Sequence, residues 1–349
     1  MLESWGDGRC SVDGLSRDNQ KLLTGESDVG LMVNVDNFVR AETHRMFADL
    51  QRDAGGVGVF RHNRQPASID EQTVIRLNRD TLYSFAILDL AEPAWLWLPE
   101  ADGRYMSAMV VNEDHYINVL LHAPGRHQLT CDRCGSRYVM VGVRTLVDPL
   151  DPDDVAAVGA LQDHVTLETS SSEVFTSPEY DRESLDKTRQ ALLSLASGLA
   201  DFGRTFGTRD QVDPIHHLIG TAAGWGGLPT SEASYVGVDP GVPPGEYEMT
   251  FKDVPVDAFW SVSVYNSAGF FEPNSRHLYS VNCITGVPNG DGSITVRFKA
   301  DAGEDAPPNC IVTPQGWNYL IRLYRPRAEF FDGIWTVPSL TSISGSKGA

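Results

Sequence analysis

The feature that most limits how this chain folds is a succession of short runs rich in β-branched and aromatic residues, each closed by turn residues. Between residues 57 and 147 these runs are "VGVF", "TVIRL", "LYSFAILDL", "AWLWLP", "YMSAMVVN", "INVLLH" and "RYVMVGVRTLV". Turn signals fall about every ten residues, which leaves no room for a helix between successive strands and predicts a β-sandwich rather than alternating β and α units. A second series follows in "EYEMTF", "FWSVSVYN", "YSVNCIT", "SITVRF" and "NYLIRLYRP", with "NGDG" as a hairpin signal. The 32 Gly and 20 Pro fit a chain with many turns.

Helical periodicity is confined to three places. "VDNFVRAETHRMFADLQRDAGG" starts at Asp36, places Phe38, Val39, Met46, Phe47 and Leu50 at helical spacings and stops at Gly55 and Gly56. After "DPLDPDD", the stretch "DVAAVGALQDHVTL" reads as a helix capped by Asp153 or Asp154. "DRESLDKTRQALLSLASGLADFG" supplies an apolar stripe from Leu185, Leu192, Leu193 and Leu195. At 349 residues the chain fits two domains that each bury a core. The partition expected is an N-terminal extension over 1–32, a β domain with a leading helix over 33–150, a helical connector over 151–228, a second β domain over 229–340 and a tail over 341–349.

A formal net charge of −19 repels a phosphate backbone, so neither nucleic acid nor an anionic membrane is expected as a partner. No stretch reaches the roughly 20 apolar residues of a membrane span. "MLESWGDGRCSVDG" lacks the basic-then-apolar profile of a secretory signal, so the expectation is a soluble protein with the cytoplasm favoured. Of five Cys, only Cys131 and Cys134 in "TCDRCGSRY" stand close together. One CxxC without a second pair at finger spacing points to a turn with two free thiols or a local disulfide more than to structural zinc. Cys10, Cys283 and Cys310 read as packing residues.

The strings "RLNRDTLYS", "GRYMS", "NEDHY", "VDPIHHLIGTAAGWGG", "DVPVDAFWSVSVYN" and "NYLIRLYRPRAEFFDGIW" together resemble bacterial and fungal proteins that pair the domain-of-unknown-function families 1254 and 1214. The resemblance spans roughly residues 33 to 338 in the expected order. It implies a mainly β fold of two β-sandwich domains, immunoglobulin-like and then jelly-roll-like, joined by a helical connector. It implies no particular chemistry, since fold does not dictate function.

Chemistry must therefore be read from the side chains. In "RLNRDTLYS", strand alternation places Arg76, Asn78 and Asp80 on one face and Ile75, Leu77 and Arg79 on the other. Each unmet polar group costs about 1–3 kcal/mol when buried, so these groups face water, bond one another as an Arg76–Asp80 pair, or line a pocket. In the pocket reading Arg76 and Asn78 orient a substrate oxygen, Asp80 moves a proton, and Tyr83 and Tyr105 donate hydroxyls. His115 in "NEDHYINV", beside Glu113 and Asp114, is the general-base candidate, because its ordinary pKa lies nearest neutrality. His216 and His217 point about 100° apart on a helix and do not readily share a metal. Trp260 and Tyr265 in "FWSVSVYN" are expected to form the apolar wall. Arg322, flanked by Leu320 and Tyr324 on one strand face, needs an anionic partner from the protein or from a ligand, and Tyr324 stands with it as a binding candidate.

No GxSxG elbow, P-loop, dinucleotide glycine motif, HExxH or EF-hand string occurs, so no cofactor and no metal centre is expected. The reading is an enzyme that works without a cofactor, a hydrolase, lyase or isomerase, using acid–base chemistry on a small organic molecule in an inter-domain pocket. Its rival is a non-catalytic double β-sandwich that binds a carbohydrate, lipid or protein partner. Homo-oligomerisation is compatible with both.

Overall fold

The computed structural model describes residues 30–72, 74–199 and 201–343. Most of the expected N-terminal extension, Cys10, and the tail from residue 344 lie outside the described residues. In chain order the strands are β1 (Arg61–His62), β2 (Thr81–Asp89), β3 (Ala94–Leu98), β4 (Met106–Asn112), β5 (Ile117–Leu121), β6 (Gly125–Leu129), β7 (Tyr138–Leu146) and β8 (Thr166–Glu168). They continue as β9 (Ala233–Val238), β10 (Tyr247–Phe251), β11 (Trp260–Tyr265), β12 (Ser280–Asn282), β13 (Ile294–Lys299), β14 (Cys310–Val312), β15 (Asn318–Tyr324) and β16 (Thr341–Ser342). The helices are α1 (Phe38–Ala54), α2 (Cys131–Cys134), α3 (Pro152–Gln162), α4 (Arg182–Ala196), α5 (Pro214–Gly224) and α6 (Ala328–Phe331).

The molecule is mainly β and is built as two sandwich-like pairs of sheets. The first pair stacks the sheet β1-β2-β7-β4-β5 on the sheet β6-β3-β8. Period-two patterning sets the faces: on β3, Ala94, Leu96 and Leu98 turn inward, while Trp95 and Trp97 turn out. They meet Leu88, Ala108, Val110, Val139, Val141 and Val143 of the larger sheet. Strand β4 is buried along its whole length because both of its faces are covered. Its other face, with Met109 and Val111, packs against Phe47 of α1 and against Phe259 and Tyr324 of the second half.

The second pair stacks β14-β13-β10-β16 on β12-β11-β15-β9, and its strands are antiparallel except for β13–β14. Its core joins Trp260, Val262, Val264, Ile321 and Leu323 from one sheet to Met249, Phe251, Val296 and Phe298 from the other. Helices α1, α4 and α5 form a separate layer around Phe38, Ala41, Leu185, Leu192 and Ile219. Helix α1 ends where Gly55 takes φ +84°, a left-handed conformation that glycine adopts without steric cost.

Several local expectations need correction. Residues 74–80 are not strand: β2 begins only at Thr81, and Val74 and Ile75 are more than half exposed. Arg76 takes φ +53°, its N–H donates to Gly269 O, and the Asn78 carboxamide oxygen accepts from Asp80 N in an Asx turn that replaces the ladder. "VGVF" contributes a turn before the two-residue β1 rather than a strand of its own. Asn37, not Asp36, stands at the start of α1, and α3 is capped by Asp151, whose carboxylate accepts from Asp153 N. Strand β9 lies within the Gly- and Pro-rich passage that leads into the second β series, a strand that the sequence pattern did not mark. No helix among the described residues is long and apolar enough to cross a membrane.

Candidate functional site

The two sandwiches face each other through rows of polar side chains fixed by strand register. In the first sandwich Tyr83 on β2, Arg144 on β7 and Ser107 on β4 are direct cross-strand neighbours. In the second, Asn282, Ser261, Arg322 and Tyr235 form a row across β12, β11, β15 and β9. Tyr324, two residues beyond Arg322, shares its face. The irregular 76–80 segment sits between the two rows.

Half of this seam is closed. Arg322 Nη2 donates to the carbonyls of Arg76 (2.8 Å) and Leu77 (3.3 Å) and to Tyr265 Oη (2.7 Å), while Nη1 donates to Ser263 Oγ (2.9 Å). Tyr265 in turn donates to Leu77 O at 2.9 Å. The partner that Arg322 needs is thus a set of oxygen dipoles, with no carboxylate of the described residues in ion-pair contact. Asp80, 1% exposed, accepts from Ser261 Oγ at 2.7 Å and from Asn282 Nδ2 at 3.4 Å. No Arg76–Asp80 pair forms: the Arg76 side chain is exposed and lies over Gly237.

The other half is less fully hydrogen-bonded. Arg144 is buried, with Nη2 donating to Gly226 O at 2.7 Å and only a weak contact from Nη1 to Met109 Sδ. No carboxylate of the described residues lies in ion-pair distance of it, and the Tyr83 ring centroid is 5.5 Å from its guanidinium carbon. Tyr83, Tyr235, Tyr105 and Tyr324 surround it closely enough to hold its charge. One amide joins two of these phenols: Asn78 Nδ2 donates to Tyr83 Oη at 3.2 Å and to Tyr324 Oη at 3.0 Å. Both hydroxyl oxygens thus act as acceptors, which frees their protons for other partners.

Their environments push the phenols apart. Burial alone would raise Tyr83, but the Arg144 charge, the hydrogen bonds from Thr81 and Asn78 and the Arg322 charge outweigh it and bring this phenol below its ordinary value. Tyr324 is pushed well above its ordinary value by burial and by the neighbouring Tyr235 and Tyr83. Tyr105, whose hydroxyl donates to Ser107 Oγ, is pushed up to about 12 by burial. Tyr235 combines 45% exposure with a phenol raised by desolvation. Tyr235 is thus the most exposed member of this cluster.

The remaining predicted residues lie elsewhere. His115 is fully buried: Gly226 N donates to its Nε2 at 2.9 Å, so Nδ1 carries the proton toward Thr221 Oγ1, also at 2.9 Å. Burial and His217 hold this imidazole well below its ordinary pKa. It connects to Arg144 through Gly226, whose carbonyl accepts from Arg144 Nη2. Glu113 and Asp114 do not join it, because both turn outward to Arg40. Each ring nitrogen of His217 faces a backbone carbonyl, of Thr205 and of Asp114, while His216 faces that of Gly203. Trp260 points to the opposite face of β11, into the core, where it stacks on Phe251 at 4.3 Å. The structure thus brings together Asn78, Tyr83, Tyr105 and Tyr324, seats Asp80, Tyr265 and Arg322 in the closed half, and leaves Arg76, His115 and Trp260 outside this cluster. No group of three or more His, Cys, Asp or Glu residues among the described residues is placed to hold a metal ion.

Sequence reasoning missed Arg144 and Tyr235. Arg144 carried the same signal as Arg322, a single cation within an apolar strand. Tyr235 carried none, because its strand was hidden among glycines and prolines.

Comparison with known proteins fits this architecture. The model of the protein family of unknown function DUF1254 matches residues 57–130, and that of the family of unknown function DUF1214 matches residues 242–328. The chain thus resembles two-domain proteins that combine these families in that order. Among solved structures it is similar to the VPA0106 protein from Vibrio parahaemolyticus, with 19% identity and a TM-score of 0.70 over 88% of this chain and 97% of that one. At that identity the likeness shows the fold alone. An uncharacterised protein from Burkholderia cenocepacia aligns at 13% identity with a TM-score of 0.49 over 93% of each chain. No curated protein matches.

Proposed function

We propose that this protein is an acid–base enzyme, a lyase or isomerase in type, acting on a small organic molecule with a carbonyl or carboxylate oxygen in the Tyr83–Arg144 recess. The observation that carries the reading is a buried guanidinium without a carboxylate partner, set among phenols of which one is acidified and one held protonated. Two titratable groups driven apart by their surroundings are the usual signature of a base and an acid in one site. Arg144 would stabilise the oxygen on which negative charge develops, Tyr83 would take up the proton, and Tyr324 would return one. Asn78 keeps the two hydroxyls at a fixed separation. Asp80 and His115, each saturated by neighbouring groups, support the site from behind rather than meet substrate.

The test is solvent deuterium exchange into a panel of small keto acids and carbonyl compounds, followed by proton nuclear magnetic resonance. The wild-type chain is expected to exchange the protons next to the carbonyl of at least one compound. Tyr83→Phe should slow this by about 10²-fold or more, the size of a lost acid–base group. Binding of a panel compound without exchange would favour the non-catalytic reading instead, and exchange unchanged in Tyr83→Phe would remove Tyr83 as the base.

A further inference from the structure

The turn that supplies Asn78 and Asp80 to the seam turns Arg79 the other way, into a second cavity of about 250 Å³ lined also by Arg276, His277, Tyr279, Ser280 and Asp148. Arg79 is half-buried and donates from Nη1 to the carbonyl of Ala67. Among the described residues that is its only side-chain hydrogen bond, although a guanidinium carries five N–H groups. No carboxylate of the described residues lies within ion-pair distance of it. Its guanidinium carbon is 5.9 Å from the Tyr279 ring centroid, and the ring itself is 5% exposed. Loss of hydration lowers this guanidinium from its ordinary value against the opposing charges of Tyr279 and Asp80.

The other donors in the cavity are also unspent. Arg276 uses Nη1 on Glu304 O at 2.9 Å and makes no ion pair. The His277 ring and the Ser280 hydroxyl have no hydrogen-bond partner among the described residues. His277 is held in a left-handed conformation, φ +54°, beside the Tyr279 ring at 6.2 Å between centroids. Asp148 is the one carboxylate of the lining, and its Oδ1 is occupied by Leu150 N at 2.9 Å. Two guanidinium groups therefore share the cavity lining with one carboxylate, around a space of small-molecule size with spare N–H and O–H donors.

We propose that this cavity is a binding site for a small oxyanion, a phosphate or carboxylate group gripped by Arg79 and Arg276, and that it is separate from the Tyr83–Arg144 recess. A planar guanidinium offers paired N–H donors that match the oxygens of either anion. A net positive lining on a chain of formal charge −19 also concentrates such anions locally.

Isothermal titration calorimetry of the whole chain at low ionic strength tests this with two probes, inorganic phosphate and succinate. At least one probe is expected to bind with a Kd of about 1 mM or tighter. Arg79→Gln should weaken that binding by about tenfold or more, and Arg276→Gln by a smaller factor of about threefold. Tyr83→Phe, in the other site, should leave it unchanged. Absence of binding by both probes at about 10 mM, or equal affinity in wild type and Arg79→Gln, would overturn the proposal. If Arg79→Gln does not fold, the exposed Arg276 decides: unchanged affinity in Arg276→Gln overturns it, and weakened affinity supports it.

Discussion

Asp80 is one of the groups that tie the two halves together, and truncating it should loosen the seam. Its carboxylate, 1% exposed, accepts from Ser261 Oγ at 2.7 Å and from Asn282 Nδ2 at 3.4 Å, both from the C-terminal half. It is also the carboxylate whose charge opposes the buried Arg322. Asp80→Ala would leave a hydroxyl and an amide without acceptors and take a negative charge away from a buried cation. A hydrogen bond to a charged acceptor contributes about 1.5–3 kcal/mol, and the longer Asn282 contact belongs at the low end. The loss expected for Asp80→Ala is therefore about 3–5 kcal/mol, and for Asp80→Asn, which keeps one acceptor and the shape, about 1–2 kcal/mol. Urea unfolding followed by intrinsic fluorescence, with a double-mutant cycle against Ser261→Ala, measures both. The cycle should return a coupling of about 0.5–3 kcal/mol. A midpoint for Asp80→Ala within about 0.5 kcal/mol of the parent, or zero coupling, would refute the reasoning.

Two further outcomes follow from the packing. Asp89, with no exposed surface, accepts from Arg137 Nε (2.8 Å) and Nη2 (3.1 Å), from Ser171 Oγ and from the amides of Ala91 (3.0 Å) and Glu173 (3.2 Å), which together hold its carboxyl well below the ordinary range. Because the folded pKa is the lower one, this stabilisation is complete above the unfolded carboxylate value near ~4 and fades as pH falls toward the folded value; acid unfolding of Asp89→Asn should show a shallower low-pH limb than wild type, and parallel limbs would contradict this. Gly220 on α5 has space only for hydrogen: a Cβ there would lie 1.9 Å from Thr205 Cγ2. Gly220→Ala should lower the thermal midpoint through about 1–3 kcal/mol of overpacking, and an unchanged midpoint by calorimetry would show that the 205 loop yields freely.

How much of this could be read from the chain itself depends on how local each cause is. The strands of both sandwiches follow from apolar runs and turn residues within a few positions, so β2, β7, β11 and β15 fall where the pattern places them. The "RLNRD" segment defeated the same logic, because its extended look came from Ile75 and Leu77 while its path is set by Arg76 N donating to Gly269 O, nearly two hundred residues away. Asn78 and Asp80 still point to the seam, but through an Asx turn rather than strand alternation. The hydroxyl face of β11 and the solitary Arg322 were legible, since side-chain chemistry and period two suffice to see them. That Arg322 is answered by the carbonyls of Arg76 and Leu77, and that Arg144 is left with one, depends on how two sheets dock. His115 looked like a base because of its neighbours in sequence; in space those neighbours turn to Arg40 and leave it among Thr221, Trp225 and Gly226.

The central claim is that Arg144 acidifies Tyr83 in the recess, and a spectroscopic pH titration of tyrosinate absorbance measures it most directly. One phenol of the wild-type chain should ionise below the ordinary value near ~10, disappear from the curve in Tyr83→Phe, and return to or above that value in Arg144→Met. A wild-type curve in which every phenol titrates at or above the ordinary value, or an early phase that persists in Tyr83→Phe, would contradict the account.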